Sequence, residues 1–164
     1  MCMKKSEIIS KMIDFYEGNV SDINHFLKVY AYAETLGRLE NLDDKTQEIL
    51  ELAAIVHDIA CPICRKKYGN TDGKHQEEES EALLREFLQE FSLPEDILER
   101  VIYLVCHHHT YDGVDGSDWQ LLLEADYLVN ADEMTCSRES ITAFRDKVFK
   151  SRSGIKLLNS IYLN

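Results

Sequence analysis

"AAIVHDIACP", residues 53–62, sets a histidine and an aspartate side by side inside an apolar run: Ala53, Ala54, Ile55 and Val56 precede the pair, and Ile59 and Ala60 follow it. Positions of that kind face a core. An ionised carboxylate taken out of water costs many kcal/mol unless a cation or a dense set of donors neutralises it, so Asp58 needs a partner inside the fold.

Outward from this stretch, apolar residues recur at helical spacing almost everywhere, strand-like alternation is scarce, and only two prolines and seven glycines interrupt the chain. The pattern predicts an all-α fold, with helices over about 6–17, 22–38, 44–60, 76–91, 94–109, 118–132 and 138–150 and a short last one near 154–162. Gly18 closes the first helix, Asp43 or Asp44 opens the third and Pro62 ends it; Pro94 opens the fifth, and Ser117 with Gln120 reads as a capping box. "CRKKYGNTDGK", residues 64–74, reads as a loop with four basic side chains. "TYDGVDGSD", residues 110–118, reads as a helix connection, because it lacks the ligand spacing and terminal Glu of a calcium loop.

A chain of 164 residues with 45% apolar and 29% charged residues fits one globular domain, residues 1–164. Its formal net charge of -12 and the lack of a large Lys/Arg cluster argue against a nucleic-acid polymer as partner. No apolar run approaches the roughly 18 residues a membrane span needs. The opening "MCMKKSEIIS" has no apolar signal-peptide core, so no membrane association and a cytoplasmic location are expected. Five cysteines, Cys2, Cys61, Cys64, Cys106 and Cys136, suit a reducing compartment and are expected to act mostly as small buried hydrophobes. "CPIC", residues 61–64, lacks the other two ligands of a structural zinc site. A homo-oligomer is compatible with all of this.

The helical register then sorts the histidines and aspartates. Positions i, i+3, i+4 and i+7 share a face. Ile49, Ala53, Val56, His57 and Ala60 form one stripe, and Asp58 lies about 100° further round, so both reach one point only in the angle between them near the helix end. His108 continues the stripe of Ile97, Val101, Leu104 and Val105. His107 follows Arg100 and Tyr103 towards solvent, whereas His109, after Ile102 and Cys106, stays a candidate. Asp126 shares a face with Trp119, Leu122 and Val129, and His25 lines up with Val29, Tyr32 and Leu36. A lone inward histidine is usually just a satisfied core residue. Four helices that each aim ionisable groups inward are economically explained by a shared divalent cation, since mixed His and Asp ligands suit Mn, Fe, Co, Ni or Zn.

His25, the doublet His57-Asp58, and Asp126 resemble the H…HD…D signature of the HD-domain superfamily of metal-dependent phosphohydrolases. "INHFLKVYAYAETLG", "LAAIVHDIA" and "LLLEADYLVN" are similar to the three ligand-bearing helices of that family, and the likeness spans nearly the entire chain. The resemblance implies an HD-like bundle of about seven helices in which His25, His57, Asp58 and Asp126 hold one divalent ion, Mg included among the candidates. It also implies that a second ion is possible, held by His75 and His108 with Asp58 as bridge and His109 alongside; Glu77 or Glu79 could serve in place of His75.

The activity implied is hydrolysis of a phosphate ester of a nucleotide or another small phosphorylated molecule by a metal-activated water. Asp58 would double as general base, and Lys66 and Lys67 are expected to grip phosphate oxygens. Two other readings of the same fold are a di-iron oxygenase and a non-catalytic nucleotide-binding module.

Overall fold

The computed structural model describes residues 2–164 and is helical throughout its ordered elements. In chain order these are α1 (Cys2–Phe15), α2 (Val20–Leu39), α3 (Asp44–Val56), α4 (Cys61–Tyr68), α5 (Gly73–Leu88), a 3-10 turn at Gln89–Phe91, α6 (Glu95–His107), α7 (Ser117–Glu133), α8 (Arg138–Val148) and α9 (Arg152–Tyr162). The all-α expectation therefore holds.

Helix starts follow side-chain capping. Asn19, Asp43, Ser137 and Ser151 each accept a hydrogen bond from a backbone N–H in the first turn of α2, α3, α8 and α9, satisfying a donor that the helix itself cannot pair. The expected capping box at Ser117 is absent. Gly116 is the N-cap of α7 without a side-chain bond, and Gln120 instead donates to Glu124 Oε1 and to the Val148 carbonyl.

The larger departure lies just after the opening motif. A single helix over 44–60 is expected, but α3 stops at Val56, residues 57–60 form tight turns, and α4 begins at Cys61. Pro62 opens that helix instead of ending the previous one. In a first turn, proline's missing N–H costs nothing, because those donors have no intrahelical partner. The segment read as a basic loop is thus helical up to Tyr68, and Gly69, at φ 73°, closes it in the left-handed region that glycine tolerates.

The apolar stripes meet in one core. Phe26 and Leu36 of α2, Leu50 and Ile55 of α3, Leu104 of α6 and Trp119 of α7 are among its largest buried members. Helix α2 packs on α3 and α7, and α3 also packs on α6 and α7, so the four helices that carry inward ionisable groups contact one another directly. Gly37 allows α2 and α3 to approach closely, since a Cβ there would sit 2.1 Å from Gln47 Oε1. Cys61 and Cys64 are buried as expected and Cys106 and Cys136 partly so, all four as free thiols; the Cys2 side chain lies outside the described residues. No described helix is long and apolar enough to cross a membrane.

Glu124 of α7 fastens the last helix. Fully buried, its Oε1 accepts from the backbone N–H groups of Lys150 at 2.7 Å and Ser151 at 2.9 Å, and its Oε2 accepts from the Ser151 hydroxyl. Glu124→Ala is expected to lower unfolding free energy by about 2–4 kcal/mol, because it orphans those donors. Amide-exchange protection should fall first in α9, which hydrogen exchange by mass spectrometry would read.

Candidate metal centre

Helix α2 supplies His25, the turn after α3 supplies His57 and Asp58, the end of α6 supplies His108 and His109, and α7 supplies Asp126. The structure brings these side chains to one place. His25 Nε2 lies 3.2 Å from His57 Nε2, 3.3 Å from Asp58 Oδ2 and 3.2 Å from Asp126 Oδ1. His57 Nε2 lies 3.4 Å from Asp58 Oδ2 and 3.5 Å from Asp126 Oδ1. On its other side Asp58 turns Oδ1 towards His108 Nε2 at 3.4 Å. Ligand atoms of His25, His57 and Asp58 all fall within 4.8 Å of one another, and so do those of Asp58, His108 and His109. Asp58 is common to both groups.

Hydrogen bonds at the far side of each ring define what faces the centre. His57 Nδ1 contacts the Ala54 carbonyl at 2.7 Å, His108 Nδ1 contacts the Val105 carbonyl at 2.7 Å, and His25 Nδ1 contacts the Glu133 carboxylate at 2.8 Å. Carbonyl and carboxylate oxygens only accept, so each Nδ1 carries a proton and each neutral ring presents its Nε2 lone pair inward. With the rings neutral, three lone pairs and two carboxylates converge with no Lys or Arg side chain paired to them. His108 Nε2, His109 Nε2 and Asp126 Oδ1 are buried without a hydrogen-bond partner. Buried acceptors gathered in this way call for a cation, and outer acceptors that fix the ring tautomer are the usual support of metal-bound histidines. The residues present fit a divalent metal.

Charge placement agrees with that demand. Burial alone would depress the pKa of His25, but Asp126, Asp58 and Glu133 outweigh it and raise it to about 9. Fully buried His57 is raised for the same reason, by Asp58 and Asp126 acting against desolvation. In return, and again against the effect of burial, the imidazoles hold Asp58 and Asp126 below the usual carboxylate range. His109 behaves differently: burial and the adjacent His108 push it down to about 4, which keeps the ring neutral.

A cavity of about 650 Å³ opens over these groups and is lined by His25, Asp58, His109 and Asp126 among others. Four carboxylates, Asp22, Asp58, Asp126 and Glu133, line it against one guanidinium, Arg65. Tyr127 and Phe144, stacked with ring centroids 3.6 Å apart, form part of its wall together with Tyr111.

Three expected site residues lie elsewhere. Lys67 pairs with Glu79 and sits over the Tyr68 ring, and Lys66 is exposed; neither lines the cavity. The reason is the helical state of 61–68, which turns Arg65 towards the cavity and its two neighbours away. His75 stacks on Tyr68 at 3.8 Å and its Nδ1 contacts Asn70 Oδ1 at 2.9 Å, outside both ligand groups. Of its two alternatives, Glu79 is engaged with Lys67 and Tyr68, and Glu77 accepts from the Thr110 hydroxyl at 3.3 Å. His107, expected to face solvent, is half-buried and stacks on Tyr103 with centroids 4.1 Å apart.

Sequence reasoning overlooked Glu133 and Arg65. Glu133 follows Asp126 by seven residues on α7 and thus shares its face, a signal that was present in the register. Arg65 shares a face with buried Cys61 and Cys64, but that face exists only if α4 is recognised as a helix.

Among known families, the model of the HD domain matches residues 22–146, most of the chain. No curated protein matches it.

Metal must displace protons here. Because His25 retains one up to about pH 9 in the metal-free protein, uptake is expected to tighten as pH rises, with at least about one proton released per chain near neutrality. Calorimetric titration of a divalent metal in buffers of different ionisation enthalpy would count those protons.

Proposed function

The chain belongs to the HD-domain superfamily of metal-dependent phosphohydrolases, and from that premise we propose that it hydrolyses a phosphate ester of a small molecule in the cavity above Asp58. The observation that carries this reading is the convergence of His25, His57, Asp58 and Asp126, with His108 on the far side of Asp58. A divalent ion held by these residues would polarise a phosphoryl oxygen and bring the pKa of bound water towards neutrality.

The remaining steps belong to the chain itself. Asp58, held ionised by the surrounding imidazoles, offers an oxygen on each of its two sides and can accept a proton from attacking water. Glu133 keeps His25 in the tautomer that presents Nε2. Arg65 would bind a phosphate oxygen at the cavity rim. Its guanidinium is held by Asp22 through two bonds, Nη1 to Oδ2 at 2.6 Å and Nη2 to Oδ1 at 2.8 Å, so the fork is oriented before substrate arrives. A cavity of about 650 Å³ suits a small phosphorylated molecule.

Turnover of a panel of phosphomonoesters by metal-loaded protein tests the assignment, and a protein with stoichiometric metal that releases no phosphate from any of them would refute it. Asp58→Ala is expected to abolish phosphate release, about 1000-fold or more, while helicity by circular dichroism is retained. Arg65→Ala should raise KM by about tenfold with a smaller effect on kcat, as expected for lost charge-assisted bonds to a phosphate. Lys66→Ala should change neither constant.

A further inference from the structure

The two sides of Asp58 are unequally furnished. Towards His25 and His57 a second carboxylate, Asp126, completes the set. Towards His108 and His109 there are two imidazoles and only the shared Asp58, fewer ligands than a divalent ion ordinarily takes. Helix α5 is the element expected to contribute there, yet His75, Glu77 and Glu79 are all engaged elsewhere.

Between them lies Gln76. Only 3% exposed, it lines the same cavity as Asp58 and His109. Its amide orientation is settled by chemistry: Nε2 donates to the Thr71 carbonyl at 2.8 Å, and only the NH2 end can do that. Oε1 is therefore the other end, and it is buried with no hydrogen-bond partner. A carbonyl oxygen left in that state forgoes the hydrogen bond it would make in water. His109 is close by, since it packs on Gly73 one helical turn earlier on α5; a Cβ at Gly73 would lie 2.9 Å from His109 Cβ. Gln76 and His109 thus both line the cavity and each holds an unpartnered buried atom, Oε1 and Nε2, and His108 Nε2, grouped with His109 and Asp58, is a third.

We propose that Gln76 is the α5 ligand of a second divalent ion, its Oε1 joining Asp58, His108 and His109. The proposal rests on the metal-centre reading above but not on any hydrolytic activity. An amide oxygen is neutral, so this position has only the shared carboxylate, whereas the first has two. The second ion is accordingly the weaker one, and loading is sequential.

Metal-free protein titrated with Mn²⁺ alone tests this, with calorimetry for stoichiometry and electron paramagnetic resonance for the exchange-coupled pair signal. Wild type is expected to bind two ions in separate steps and to show the coupled signal. Gln76→Ala should weaken the second step tenfold or more and lose the signal while leaving the first step unchanged. Gln76→Glu, nearly the same shape with an added charge, should tighten the second step and keep the signal, which guards against a misfolded alanine variant. An unchanged second step in Gln76→Ala, a weakened or unaltered one in Gln76→Glu, or a wild type that takes up a single ion would each overturn the proposal. Failure to hydrolyse any phosphate ester would sink the proposed activity and leave this assignment standing.

Discussion

Electrostatic repulsion among like-natured acceptors is the constraint on which the rest of this structure depends. The imidazoles of His25, His57 and His108 and the carboxylates of Asp58 and Asp126 converge at the edge of the core, each ring locked in tautomer by an acceptor at its back and each Nε2 within 3.5 Å of a carboxylate oxygen. Such an arrangement is tolerable only if positive charge occupies the middle. Protons supply it partially, as the raised values of His25 and His57 record, and a divalent ion supplies it fully.

The helices around the centre serve that constraint and the substrate separately. Helices α2, α3, α6 and α7 pack on one another and bring the ligands together, so their geometry is set by core burial. The cavity above shares some of those helices and adds Arg65 of α4, Tyr111 of the α6–α7 connection and Phe144 of α8, all exposed or half-exposed. One guanidinium there faces four carboxylates, so under the proposed function a bound divalent ion would be needed to offset their repulsion of a phosphate. On that reading, binding of metal and of an anionic substrate would be coupled.

Much of this was written in the helical register. His25, His57, His108 and Asp126 each continue an apolar stripe, and core packing delivers such positions reliably to the interior, so their meeting could be anticipated from period alone. The break after Val56 was not legible, because Pro62 stops one helix or starts the next with equal ease. Misreading it hid Arg65 and promoted Lys66 and Lys67, which point away. An error of three residues at the start of α5 had a similar effect. With the helix beginning at Gly73, the buried face carries Gln76 and Ser80 and leaves His75 against Tyr68, a contact between neighbouring segments that no periodicity encodes. Gly116, in place of Ser117, as the cap of α7 is a one-residue matter settled by tertiary packing.

The interruption at residues 57–60 has a further consequence. In a continuous helix, inserting or deleting one residue beyond the ligands would swing everything downstream by about 100° and drag it along a rigid rod. Here the tight turns interrupt the rod, so the segment that carries Arg65 starts a separate helix beyond His57 and Asp58. Under the proposed function, lengthening, shortening or rewriting α4 would change the choice of molecule admitted while leaving His25, His57, Asp58 and Asp126 in place, so that selectivity and reactivity would be separately evolvable.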